Sequence, residues 1–299
     1  MALRNPLIIG TRGSDLALWQ ANFVLDLLLK ASISAELKII KTKGDNIQHL
    51  GFDKMEGKGF FTKEIEEALL SGSIDLAVHS HKDLETDQPD GLVIAAVSSR
   101  ADARELLLVR QDCADINASI QFNSGAIVGT SSARRKAQLL QLRPDTRLKD
   151  IRGNVPTRIK KLRDGEFDAI LLAKAGVDRL QLNLDGLHVQ VLDEVEFVPA
   201  PAQGVLALQC RSADSELVQI LDRFSDHDVQ ELINIERSVL NRLQGGCQLP
   251  LGIFASRKSG DIHVEVAIAD SWNAPVRRFN MSGSNAAVLA DNILKKIHS

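Results

Sequence analysis

A chain of 299 residues, 44% hydrophobic and 25% charged with a formal net charge of -3, is long enough for two or three domains of about 100 residues each. Its apolar stretches are short and broken by charge, well under the roughly 20 residues a membrane-spanning helix needs. The opening Met1-Ala2-Leu3-Arg4-Asn5-Pro6 lacks the apolar run and small-residue cleavage site of an export signal, so a cytoplasmic protein, or a mature chain after transit, is expected.

Taken in chain order, residues 7–10 read as a strand and 15–30 as an amphipathic helix with Trp19, Phe23 and Leu27 near one face. Further strands fit 37–40, 75–79, 93–97, 126–129, 169–172 and 188–192. Helices fit 63–70, 132–142 and 156–163, the last with Pro156 in its first turn. This alternation argues for βα units and largely parallel sheets. Residues 205–209 read as one more strand. Beyond about Asp214 the pattern changes to a long helix over 228–243, the turn Gln244-Gly245-Gly246-Cys247, strands at 252–255, 263–269 and 276–281, and a closing helix over 286–298. That segment reads as a separate α+β domain.

An internal echo links the two α/β stretches. Gly10-Thr11-Arg12-Gly13-Ser14 and Gly129-Thr130-Ser131-Ser132 each stand between a strand and a helix. Such positions suit an anion, because first-turn amides lack intrahelical partners and the helix dipole favours negative charge. They equally suit ordinary N-capping. Between Thr130 and Arg163 there are eleven basic residues against only Asp145 and Asp150. Arginine's planar fork matches carboxylate or phosphate bidentately, and arginines at successive strand-to-helix junctions converge on the crevice where open α/β sheets bind ligands. Lys160, Lys161 and Arg163 fit a solvated helix face. Nucleic acid is disfavoured by a pI near 6.2 and by the lack of an aromatic residue in the block on which a base would stack. A small polyanion is the expected ligand.

Three widely spaced cysteines, Cys113, Cys210 and Cys247, include no Cys-x-x-Cys pair, so structural disulfides, zinc and iron–sulfur centres are not expected. Cys247 follows two glycines and precedes Gln248-Leu249-Pro250, a loop setting from which sulfur can project. Cys210, within an apolar run, fits a buried small hydrophobe. Lys82 and Asp83 follow a strand's C-terminal end and fit either a ligand contact or a cap and surface ion pair. His79 and His81 share a strand face without an evident third ligand, so no metal is expected. Residues 54–61 form a glycine-punctuated loop that is a lid or an ordinary surface loop. It lacks the Gly-Lys-Ser/Thr ending of a phosphate-binding loop.

Together these segments resemble the porphobilinogen deaminase (hydroxymethylbilane synthase) family. The match is carried by Gly10-Thr11-Arg12-Gly13-Ser14, Gly57-Lys58-Gly59-Phe60-Phe61-Thr62-Lys63-Glu64, His79-Ser80-His81-Lys82-Asp83, Gly129-Thr130-Ser131-Ser132-Ala133-Arg134-Arg135, Arg152-Gly153-Asn154-Val155-Pro156-Thr157-Arg158, Pro201-Ala202-Gln203-Gly204 and Gly245-Gly246-Cys247-Gln248-Leu249-Pro250, in the family's order. The resemblance implies two α/β lobes like those of type II periplasmic binding proteins plus a C-terminal α+β domain. The expected division is 1–99 with 200–216, then 100–199, then 217–299.

It further implies a transferase that condenses four porphobilinogen molecules head to tail on a covalent dipyrromethane, releasing ammonia at each step and the linear tetrapyrrole by hydrolysis. Cys247 would carry the dipyrromethane as a thioether, and Asp83 would be catalytic. Arg12, Ser14, Lys54, Lys58, Lys82, Thr130, Ser132, Arg134, Arg135, Arg152, Arg158, Arg179 and Gln203 would bind cofactor or substrate, with Phe61 shielding or stacking on a pyrrole. A monomer with neither nucleic-acid nor membrane partners is implied. Gly13, His81 and Glu85 depart from common family residues, which bears on loop mobility and substrate positioning. The alternative reading is a two-lobed polyanion-binding protein without catalysis.

Overall fold

The computed structural model describes residues 4–42, 62–244 and 249–299. They fall in two units, Met1–Ala101 with Val205–Gln230, and Asp102–Gly204 with Glu231–Ser299.

In the first unit, β1 (Leu7–Thr11) leads into α1 (Asp15–Lys30), followed by β2 (Ala35–Ile39), α2 (Lys63–Leu70), β3 (Leu76–Ser80) and β4 (Leu92–Val97). Strand β10 (Leu206–Arg211) and helix α6 (Ser215–Asp222) return from the far end of the chain. The sheet order is β2-β1-β3-β10-β4. Strands β1, β2 and β3 pair in parallel, while β10 runs antiparallel to both β3 and β4. The sheet is therefore mixed rather than wholly parallel, because the returning chain enters β10 at the edge where β3 ends. Helix α1 buries Gln20, Ala21, Val24 and Leu28, a stripe one residue round from the expected Trp19-Phe23-Leu27 line. Trp19 and Phe23 instead stack on each other, 5.6 Å between ring centroids. Leu7, Ile9, Val24, Leu28, Leu76, Val78, Leu206 and Leu208 meet in the core below the helix.

The second unit repeats this topology. Strands β5 (Glu105–Arg110), β6 (Ile127–Gly129), β7 (Arg147–Lys149), β8 (Ala169–Ala173) and β9 (Leu187–Leu192) form a sheet of order β7-β6-β8-β5-β9. Here β6 pairs in parallel with β7 and β8, and β5 is antiparallel to β8 and β9. Helices α3 (Ala133–Leu142), α4 (Val155–Arg163) and α5 (Lys174–Arg179) follow β6, β7 and β8. The positions of β1, β2, β3, β10 and β4 are thus taken by β6, β7, β8, β5 and β9, and the sequence echo proves to be a topological repeat. Strands β5 and β7 and helices α5 and α6 lie outside the sequence-based assignment. Strand β5 is buried along nearly its whole length and shows no alternation, whereas β7 and α5 have only three and six residues.

The same unit holds helix α7 (His227–Arg242), an antiparallel sheet of β11 (Leu251–Lys258), β12 (Asp261–Ile268) and β13 (Arg277–Gly283), and α8 (Ala286–His298). Leu232, Ile235 and Val239 of α7 and Leu289, Ile293 and Ile297 of α8 pack on Ile253, Val264 and Val266 of the sheet. This is the expected α+β segment. It adjoins residues 198–204: the Ile253 amide donates to Pro199 O at 3.0 Å, and Glu236, fully buried, accepts from the amides of Ala202 (2.6 Å) and Ala255 (2.8 Å). Among the described residues no helix is long and apolar enough to cross a membrane.

Candidate functional site

Each α/β sheet ends in a polar edge. In the first unit β1 and β3 are parallel neighbours, so the residues after both strands emerge on the same side. Ser14 caps α1 by accepting from the Ala17 amide at 3.4 Å. Thr11, fully buried, donates its hydroxyl to Ala17 O at 3.0 Å, which folds Arg12 and Gly13 between them. Gln20 of α1 donates to Ser80 Oγ at the end of β3 (2.8 Å), tying the capped helix to the next turn. There His81–Asp83 form a single 3-10 turn in which His81 is buried, Lys82 half-buried and Asp83 exposed. The His81 amide donates to Val205 O at 2.9 Å. Arg12, Ser14, Lys82 and Asp83 therefore share one edge, and the carboxylate stands open to solvent.

Behind that turn lies a buried polar chain. His79 on β3 meets Gln209 Oε1 through Nε2 at 3.1 Å. Gln209 uses its amide nitrogen toward Glu66 (3.2 Å) and Gln88 (2.6 Å), so its oxygen accepts and His79 Nε2 carries the proton. Burial lowers the His79 pKa to about 4, against a smaller upward effect of the Gln209 bond. A charged imidazole is disfavoured there.

In the second unit β6, β7 and β8 end on one edge, and antiparallel β5 begins there, with Glu105 opposite Ala173. Ser132 caps α3, accepting from the Arg135 amide at 3.5 Å, and Thr130 Oγ1 accepts from the Ser132 amide at 3.3 Å. Ser131 Oγ both donates to Ile151 O (2.9 Å) and accepts from its amide (3.1 Å), holding the β7 exit beside the β6 exit. The half-buried Arg152 follows directly. Asn154 caps α4 through the Thr157 amide (2.9 Å), and Arg158 donates from Nε to Gly153 O (2.7 Å). Arg179, at the end of α5, donates to Gly204 O at 2.8 Å, and burial lowers its pKa to about 10.

Arg134 and Arg135, expected to bind cofactor or substrate carboxylates, both lie against a buried carboxylate of the chain itself. They are only 5% and 7% exposed. Arg134 donates to Glu105 Oε1 (2.6 Å) and Val198 O (3.0 Å), and Arg135 to Glu105 Oε2 (2.7 Å) and Leu171 O (3.0 Å). The reason is that α3 directs both side chains across the edge where β5 starts with a fully buried carboxylate. Gln203, also fully buried, donates to Glu105 Oε1 (3.0 Å) and Ala103 O (2.7 Å). Arg135 Nε is buried without a hydrogen-bond partner. Two guanidinium charges against one carboxylate leave the cluster a net positive charge, which suits a carboxylate ligand.

Sequence reasoning missed Glu105. The available signal was a carboxylate opening the apolar run Leu106-Leu107-Leu108-Val109, since an unpaired charge at a buried strand end is costly. Much of the basic block has structural partners instead. Lys136 pairs with Asp150 (2.7 Å) and Arg143 with Asp145 (2.9 Å), while Arg147 and Arg163 donate to backbone carbonyls. Cys210 is buried with its thiol pushed up to about 12, and Cys113 is raised to about 11, both chiefly by desolvation, which fits inert thiols. Lys54, Lys58, Phe61 and Cys247 lie outside the described residues.

Against known families, residues 7–219 match the porphobilinogen deaminase dipyromethane cofactor binding domain, and residues 231–297 match the porphobilinogen deaminase C-terminal domain. The chain belongs to the porphobilinogen deaminase family. Porphobilinogen deaminase of Sulfurimonas denitrificans is 47% identical over 253 residues, 84% of this chain and 79% of that protein. The Maridesulfovibrio salexigens porphobilinogen deaminase is 42% identical over 275 residues, 91% and 87%. Among solved structures, the periplasmic VFT2 domain of Bordetella pertussis BvgS aligns with a TM-score of 0.43 at 15% identity, covering 73% of this chain and 86% of that one. As a member of the porphobilinogen deaminase family the chain is an enzyme of tetrapyrrole synthesis, a transferase with a dipyrromethane cofactor domain. The described residues fit such a group, because capped helix starts and the unmet Arg135 Nε offer donors for its carboxylates.

Proposed function

We propose that this chain is a hydroxymethylbilane synthase in which Cys247 holds the dipyrromethane as a thioether and Asp83 is the catalytic residue. The observation that carries the reading is the exposed carboxylate of the His81–Asp83 turn on the same sheet edge as Arg12 and the Ser14-capped start of α1. When bound, the dipyrromethane supplies a nucleophilic pyrrole end on which the linear product grows. Asp83, as a carboxylic acid, delivers a proton to the departing amine of porphobilinogen. Its carboxylate then stabilises the cation left on the substrate and accepts the ring α-proton.

Arg12, Ser14 and Lys82 on one unit, and Thr130, Ser132, Arg134, Arg135, Arg152, Arg158, Arg179 and Gln203 on the other, bind and orient acetate and propionate side chains. Lys54, Lys58 and Phe61 complete that set. The organisation proposed is 1–99 with 200–216, 100–199 and 217–299, in a cytoplasmic monomer that acts on porphobilinogen without nucleic-acid or membrane partners.

Intact mass of the denatured chain, beside a Cys247→Ser variant, tests the reading. A dipyrromethane excess in the parent, or one gained on incubation with porphobilinogen, and absent from the variant is the expected result. A parent that never acquires pyrrole mass would sink it and leave a polyanion-binding protein.

A further inference from the structure

The topological repeat allows the two sheets to be compared position by position. Counting from the capping serines, Arg134 and Arg135 of α3 correspond to Leu16 and Ala17 of α1, since Ser132 and Ser14 both precede their helices. The first residues of the two antiparallel strands also correspond: Glu105 of β5 pairs with Ala173 at the end of β8, and Leu206 of β10 pairs with Ser80 at the end of β3. The first unit thus has three apolar residues where the second has two arginines and a glutamate. The three charges occur as a set, and the fold itself requires none of them.

We infer that Glu105 is the positioning residue of the arginine pair, fixing Arg134 and Arg135 so that Arg135 Nε is presented to a carboxylate of the cofactor or the growing chain. Adjacent guanidiniums in a buried setting repel, and each commands long, rotamer-rich geometry. Glu105 opposes this with one oxygen for each arginine, at 2.6 and 2.7 Å. Gln203 bonds the Oε1 shared with Arg134 (3.0 Å) and anchors on Ala103 O, which sets the plane of the carboxylate. The Nη1 atoms are committed to Val198 O and Leu171 O. Arg135 Nε remains an unmet buried donor. Leaving such a donor unsatisfied costs stability, and an arriving carboxylate recovers that cost. Glu105 also holds the cluster's charge at plus one, so a single carboxylate neutralises it. This assignment rests on the reading of the chain as a dipyrromethane-carrying synthase.

The test compares the parent with Glu105→Gln and Glu105→Asp, each as the full chain before and after loading with porphobilinogen. Loading is followed by intact mass, the rise in Tm on loading is measured, and KM and kcat for porphobilinogen are then determined. The amide accepts from one arginine while its NH2 opposes the other. The Gln variant should therefore keep less than half of the parent's Tm rise on loading and show a KM raised at least tenfold. The Asp variant retains the charge but is one methylene shorter, so it should fall between, with KM raised about threefold. A merely structural Glu105 would lower Tm equally before and after loading and leave KM alone. Equal loading rises with KM within twofold of the parent would overturn the inference, as would equal impairment of the Gln and Asp variants. Should the Gln variant fail to fold, an unaltered loading rise and KM in the Asp variant would overturn it. A parent that gains no pyrrole mass would instead overturn the functional reading, and this inference with it.

Discussion

Asp83 occupies a place that chemistry can use and packing does not need. It is exposed at the end of a three-residue turn whose backbone is fixed by the His81 amide and Val205 O. Asp83→Asn preserves that shape and removes only the ionisable group. The variant should keep its melting temperature and still acquire the dipyrromethane mass. Its kcat should fall by at least ~100-fold, the scale of a positioned acid–base group. Steady-state assay of the loaded variant checks this, and turnover near the parent's would remove Asp83 from the mechanism. The position of this turn was legible from the sequence, because His81-Lys82-Asp83 follows a short apolar strand, although its anchor, Val205 O, lies far along the chain. Glu105 was not legible in the same way. Its meaning depends on two arginines some thirty positions further along the chain, which meet it only because β5 runs antiparallel to β8.

At the scale of elements, helices with capping serines or asparagine and a polar face matched their sequence patterns to within a residue, as at Asp15–Lys30, Ala133–Leu142 and Ala286–His298. Local signals suffice where capping and periodicity act within one turn. The seam between β11 and residues 198–199 shows the opposite case. A Cβ on Gly252 would stand 2.6 Å from Val198 O and 2.9 Å from Val198 Cβ. The first contact is to backbone, so no rotamer change relieves it. Gly252→Ala should destabilise the second unit by about 1–3 kcal/mol, read as a lower denaturation midpoint with unchanged slope. A midpoint equal to the parent's would mean that the strand shifts freely against residues 198–199. Nothing in the sequence around Gly252 announces this contact, since its partner lies more than fifty residues away.

For the molecule as a whole, the acid limb of stability has an identifiable contributor. His79 is 7% exposed, with a pKa lowered by burial to about 4 from the ordinary 6.5. Below 6.5 the unfolded chain takes up a proton that the folded chain resists. Stability from this group is therefore complete above about pH 6.5, falls as the pH drops toward 4, and is fully lost below that. The shift corresponds to on the order of 3 kcal/mol. Denaturant unfolding followed between pH 7 and 4 should show a shallower decline in His79→Gln than in the parent. Identical slopes in the two proteins would contradict the assignment.

By itself, the sequence determined the α/β class, the α+β tail, most element positions and the family. Those properties rest on local periodicity, capping and short motifs, all of which are written over a few adjacent residues. The family resemblance already returned residues 200–216 to the first lobe, but only the tertiary structure decided that the two sheets share one mixed topology, with β10 antiparallel between β3 and β4. It also decided that Arg134 and Arg135 turn inward onto Glu105. Strand partners and buried counter-charges are chosen by long-range pairing and by the cost of leaving a charge unmatched, and the residues beside Glu105 do not say which arginines will meet it.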